Sequence, residues 1–130
     1  MLDHVSITVS NIRAAEPFYD AVMAALGVTK ISSGDTWISY GERCDADHPD
    51  LTYLLIRPGP APEAAYGRHW CFKAQLRTQV DAFWHAGLSA GGSDEGAPGL
   101  RPEYHPHYYG AFLRDPDGNR IEAVCHRRFA

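Results

Sequence analysis

HVSITV, residues 4–9, returns 65 positions later as HWCFKA, residues 69–74. Both hexapeptides begin with histidine and both alternate. His4, Ser6 and Thr8 share one side and Val5, Ile7 and Val9 the other, while His69, Cys71 and Lys73 oppose Trp70 and Phe72. Period-two alternation spells a half-buried strand. After the first copy comes NIRAAEPFYDAVMAALGV (11–28), with Ala15, Phe18, Val22, Ala25 and Leu26 at helical spacing. Asn11 is expected to cap this helix and Gly27 to end it. Pro17 places the start of its regular part near residue 17, where a missing N–H costs nothing. The same offset carries Phe18 onto Phe83, Ala21 onto Ala86, Ala25 onto Ala90 and Gly27 onto Gly92, while Tyr19 meets Trp84 and Met23 meets Leu88.

The remaining segments complete a duplicated plan. TKISSG (29–34), TWISYG (36–41) and LTYLLIRP (51–58) read as three short strands. In the second half, Thr78 and Asp81 have capping-box spacing at the head of the helix TQVDAFWHAGLSAGG (78–92). A Gly/Pro-rich loop follows. YYGAFLR (108–114) and NRIEAVCH (119–126) then form a hairpin around Asp115-Pro116-Asp117-Gly118. The expected fold is α+β: two βαβββ modules, about 1–60 and 66–130, within one domain spanning 1–130. Each module is too small to bury its own sheet face.

Composition narrows the function. At 130 residues, 45% hydrophobic and 22% charged, the chain suits one globular domain with a real core. A net charge of −4 without any Lys/Arg run makes duplex nucleic acid or an anionic membrane a poor partner. No stretch approaches 18 apolar residues, and MLDHVSITV has no basic region ahead of an apolar one, so it reads as the first strand of a cytoplasmic protein. The three cysteines, Cys44, Cys71 and Cys125, lack CxxC spacing and are expected to be small buried or half-buried residues.

Three residues break the apolar logic of their strands. His4 and His69 lie on the more polar faces of the two opening strands, and Glu122 sits in the middle of the last. An ionised carboxylate is costly to bury unless paired or coordinated. Two imidazoles and a carboxylate converging on a shared cavity would hold a divalent metal with open positions, suited to zinc, manganese or non-haem iron. The blander alternatives are histidines hydrogen-bonded singly and Glu122 paired with Arg120 or Arg114 across the hairpin.

The loop GLRPEYHPHYYG (99–110) supplies Arg101, Tyr104, His105, His107, Tyr108 and Tyr109 as possible neighbours of a ligand. Alternation lets one of Tyr108 and Tyr109 face the cavity, where a phenol can orient substrate or transfer a proton. The alternative is that these aromatics close the barrel mouth or a dimer contact. Tyr108, Tyr109 and His107 are the candidate catalytic residues. Arg101 and Arg120, as anchors for an anionic group, and Trp37, beside the small Ser39 and Gly41, are the candidate substrate contacts.

DHVSITVSN (3–11), FYDAVMAALG (18–27), RHWCFKA (68–74) and LRDPDGNRIEAV (113–124) together resemble the vicinal oxygen chelate superfamily of glyoxalase I, bleomycin-resistance proteins, fosfomycin-resistance enzymes and extradiol dioxygenases. The resemblance implies βαβββ modules forming a half-open barrel around a divalent metal (Fe, Mn, Zn or Ni), often in a homodimer, with His4, His69 and Glu122 as ligands. Glyoxalase I looks to a fourth ligand on the last strand of module one. Matching YLLI (53–56) to IEAV (121–124) puts Leu54 there, give or take one residue, so glyoxalase I activity is not expected. Two functions are implied. One is a metal-dependent lyase, transferase or extradiol-type dioxygenase acting on a small oxygenated molecule. The other is a non-catalytic drug-sequestering protein of the bleomycin-resistance type.

Overall fold

The computed structural model describes residues 1–60 and 67–128. The expected start of module two near residue 66, and residues 129–130, lie outside them. Module one contains β1 (His4–Val9), α1 (Ile12–Ala25), β2 (Lys30–Ser33), β3 (Ile38–Gly41) and β4 (Tyr53–Pro58). Module two contains β5 (Trp70–Lys73), α2 (Arg77–Ser89), β6 (Ser93–Leu100), β7 (Tyr109–Arg114) and β8 (Arg120–Cys125). The fold is α+β and the βαβββ duplication holds. The sheet orders β1-β4-β3-β2 and β5-β8-β7-β6 are copies, each with its first strand parallel to its last. The two sheets are separate hydrogen-bonded units and are not closed into a barrel.

Alternation sorts the side chains as expected. Ile7, Val9, Ile38, Tyr40, Leu54 and Ile56 bury one face of the first sheet, and Ala111, Leu113, Ile121, Ala123 and Cys125 bury one face of the second. α1 lies over β3 and β4, α2 over β6, β7 and β8, and the helices pack on each other. Phe18 and its repeat Phe83 are both fully buried in this joint core. Each sheet therefore turns its apolar face to the helices and its polar face outward.

Several local expectations need correction. Asn11 does cap α1, its Oδ1 accepting from the Ala14 amide at 3.0 Å. The helix nevertheless starts at Ile12, with Pro17 on its exposed side where the ring meets solvent. Thr78 is not a cap: α2 starts at Arg77, and Gln79 Oε1 accepts from the Gln75 and Leu76 amides at 2.8 and 3.0 Å. Because α2 is one residue shorter, the left-handed glycine ending it is Gly91 (φ 99°), the counterpart of Gly27 (φ 73°), rather than Gly92. The Gly/Pro-rich loop holds β6, an edge strand with register shifts on either side of Gly96; Pro98 is tolerated there because edges and bulges do not need every N–H.

The turn at 115–119 does more than reverse the chain. Asp115, 3% exposed, accepts from the Asp117 and Asn119 amides at 3.0 and 2.8 Å and from Asn119 Nδ2 at 2.8 Å. It also accepts the Tyr19 hydroxyl of α1 at 2.6 Å. Ser10 donates its hydroxyl to Asp117 Oδ1 at 2.5 Å, and Asn119 Nδ2 donates to the Thr8 carbonyl at 3.0 Å. The hairpin turn of module two is thus latched onto module one.

Candidate metal and substrate site

β5 leads into the site and β8 crosses it. Cys71 pairs in register with Glu122, and Glu122 stands opposite Phe112 of β7, so His69, Cys71, Phe112, Arg120 and Glu122 project from one face. Glu122 is only 2% exposed. Its Oε2 lies 3.1 Å from His69 Nε2, and its Oε1 accepts a short hydrogen bond from the Tyr108 hydroxyl. Tyr108 reaches it across Gly110, where a Cβ would come within 3.0 Å of the phenol ring and 3.3 Å of Oε1.

His69 Nδ1 lies 3.2 Å from the Gly67 carbonyl, which can only accept, so the proton belongs on Nδ1. In a neutral ring the Nε2 lone pair then faces a carboxylate oxygen, whereas in an imidazolium Nε2 donates to it. Two acceptors at that separation call for a cation or a proton between them. His4 is prepared in the same way. Its Nδ1 donates to Asp3 Oδ1 at 2.6 Å, its ring stacks on Tyr53 at 4.8 Å, and Nε2 has no hydrogen bond to another described residue. The hydrogen bond from His4 in turn holds the Asp3 carboxyl below its usual range. An imidazole whose far nitrogen is fixed by a carboxylate or carbonyl is the usual preparation of a metal ligand.

The chain does not bring His4 to the other two. It lies on the outer face of the first sheet, and among the described residues no group of three or more His, Cys, Asp or Glu is placed to hold a metal. Glu122 does not pair with either candidate arginine: Arg114 pairs with Glu95. The register also corrects the fourth-ligand position. Ser6, the repeat of Cys71, pairs with Leu55, so Leu55 is the equivalent of Glu122, whereas Leu54 faces the core. No conventional ligand stands there.

Tyr108, not Tyr109, faces the site. Tyr109 donates to Asp81 Oδ1 at 2.6 Å on the helix side, under the Arg77 guanidinium 5.2 Å from its ring centre. That contact, rather than helix capping, accounts for Asp81. Burial and the bond to Glu122 raise the Tyr108 phenol well above its ordinary pKa, so it stays protonated and serves as a donor. The His107 amide donates to His105 Nδ1 at 3.1 Å, and His105 Nε2 lies 2.8 Å from His126 Nδ1, forming a histidine pair beside Tyr108. Arg101 donates to the Ala97 carbonyl at 2.7 Å and lies over Phe112. Trp37 is 43% exposed and donates to Ser32 Oγ at 3.1 Å on the other sheet. Arg120 and His69 line one cleft of about 230 Å³.

Cys71 was not among the expected site residues, although its place two residues from His69 on one strand face was the available signal. It is exposed rather than buried, as is Trp70 at 37%. Partial desolvation of its thiol and the nearby Glu122 carboxylate push its pKa up to about 12.

Comparison with known proteins agrees with this architecture. Residues 1–123 match the family model described as the Glyoxalase/Bleomycin resistance protein/Dioxygenase superfamily, and the chain belongs to that superfamily. Among solved structures it is similar to a glyoxalase/bleomycin resistance protein from Albidiferax ferrireducens T118, at 30% identity over 98% of this chain and 99% of that one, with a TM-score of 0.79. A glyoxalase/bleomycin resistance protein/dioxygenase family enzyme from Burkholderia phytofirmans PsJN shares the fold at 19% identity, over 96% and 98% of the chains, with a TM-score of 0.68. So does a mutant of the genomically encoded fosfomycin resistance protein FosX from Listeria monocytogenes, complexed with Mn(II) and 1S,2S-dihydroxypropylphosphonic acid. It is 15% identical over 95% and 88% of the chains, with a TM-score of 0.67. No curated protein matches the chain.

Proposed function

We propose that this protein is a metal-dependent enzyme acting on a small oxygenated molecule, with His69 and Glu122 of one chain and His4 of a second copy as metal ligands. The observation carrying this reading is the facing pair of acceptors, His69 Nε2 and Glu122 Oε2 at 3.1 Å, with His69 Nδ1 already committed to Gly67. The like preparation of His4 by Asp3 supports its role as third ligand. The strands that bear or adjoin the histidines, β1 and β5, are both sheet edges, and an unpaired edge is a ready surface for a second copy in a homodimer. The Mn(II) in the FosX complex supports a divalent ion, with iron, zinc and nickel as the other fits to an N₂O donor set.

A metal bound there supplies Lewis-acid polarisation of a substrate oxygen. The chain's own groups prepare it. Tyr108 holds Glu122 Oε1 and orients the carboxylate, and its raised pKa keeps it a hydrogen-bond donor rather than a base. Gly67 and Asp3 fix the ring tautomers. Isomerisation, addition to an epoxide and ring-cleaving oxygenation all use such a site. The described cysteines are free, which fits a reducing compartment and a cytoplasmic location.

Elemental analysis of untagged protein purified without chelator tests the reading, with Glu122→Ala alongside. About one transition-metal equivalent per chain, lost in the variant, is expected. No metal in the wild type, even after anaerobic reconstitution, would leave the non-catalytic small-molecule binder as the account.

A further inference from the structure

Arg120 is the first residue of β8, two before Glu122 and on the same face, and it lines the 230 Å³ cleft with His69, Gly67, Glu95 and Phe112. Its cross-strand partner is another cation, Arg114. Like charges directly opposite on a ladder are unfavourable. Arg114 is answered by Glu95, whereas Arg120 has no hydrogen bond or ion pair to another described residue. Arg120 is half-buried, two residues from Glu122 on one strand face, and its side chain makes no polar contact with another described residue.

Each sheet carries a further cation on its outward face. Lys73 shares the Arg120 face by register, and Arg57 shares the His4 face through its pairing with Thr8. The cleft is smaller than the roughly 300–1,000 Å³ of sites for drug-sized ligands, so it fits a compact molecule.

We infer that Arg120 is a substrate-anchoring residue that takes the acid group of a small anionic ligand, a carboxylate or phosphonate, beside the His69–Glu122 pair. A guanidinium presents two parallel N–H donors that match the oxygens of either acid group. This rests on the proposed function for the identity of the neighbouring site, but the anion anchor itself needs no metal.

The test is calorimetric titration of the full chain with pyruvate and, separately, with methylphosphonate, each with EDTA and again after Mn(II) loading. Arg120→Gln and Arg120→Lys are the variants, and circular dichroism and melting confirm their fold. Saturable binding of at least one anion is expected, weakened about tenfold or more by Arg120→Gln and partly restored by Arg120→Lys. Which anion binds identifies the acid group. Binding unchanged in folded Arg120→Gln, or no saturable binding of either anion to the wild type in either state, overturns the inference. Arg120-dependent binding in EDTA by a protein that takes up no metal would uphold the anchor while overturning the metal reading. Metal uptake with Arg120-independent binding would do the reverse.

Discussion

His69 Nε2 and Glu122 Oε2 stand 3.1 Å apart, while Nδ1 of the same ring faces the Gly67 carbonyl at 3.2 Å. In the proposed metal site the neutral ring offers its Nε2 lone pair, and a cation takes the place between the two atoms. Glu122→Gln keeps the volume, still accepts from Tyr108, and can donate an amide N–H to His69. The metal-free variant should therefore melt no lower than the metal-free wild type while losing metal binding. Added metal at a hundred times its Kd should stabilise only the wild type, by about 2.7 kcal/mol. Paired melting curves with and without metal check this, and a large loss of stability in metal-free Glu122→Gln would contradict it.

The adjacent tyrosines should separate cleanly. Tyr108→Phe removes the donor to Glu122 Oε1, and loss of such an outer partner typically weakens metal binding about 10–100-fold. Tyr109→Phe removes only the bond to Asp81 and should leave metal affinity unchanged, at a stability cost of about 1–2 kcal/mol. Competition with a fluorescent chelator measures the first effect and denaturant titration the second.

The latch between the modules predicts both a stability cost and a pH dependence. Tyr19→Phe deletes a buried hydrogen bond to the Asp115 carboxylate and should cost about 1.5–3 kcal/mol. Burial and Asp115 hold the Tyr19 phenol well above its ordinary pKa. A raised folded-state pKa means stability fully present below about pH 10, the unfolded value, and lost as pH rises beyond it. Tyr40, raised by burial and its bond to Asp20, adds to the same slope. Denaturation midpoints should fall above pH 10 in the wild type, and less steeply in Tyr19→Phe. Identical slopes would contradict the assignment.

Much of this was legible because strand alternation and helical spacing are local signals. His4 and His69, Phe18 and Phe83, and the hairpin around Asp115 could be placed by counting. β6 was hidden because SDEGAPGL carries neither alternation nor β-branched residues; its pairing with β7 is a tertiary effect. The Tyr19–Asp115 bond spans 96 residues, and no short-range pattern encodes it. The separation of His4 from Glu122 was equally invisible. The sequence shows which face each residue occupies, but the packing of α1 on α2 decides that the two polar faces look away from the joint core.

That separation makes subunit mixing the most direct measurement. His4→Ala retains His69 and Glu122, and Glu122→Ala retains His4, so neither homodimer has a complete ligand set. After verified subunit exchange of an equal mixture, half the dimers are mixed and each restores one of its two sites. The account predicts that metal content returns to about a quarter of the wild-type value. Metal content staying at background in the exchanged mixture, with the wild type fully loaded, would contradict a site shared between chains.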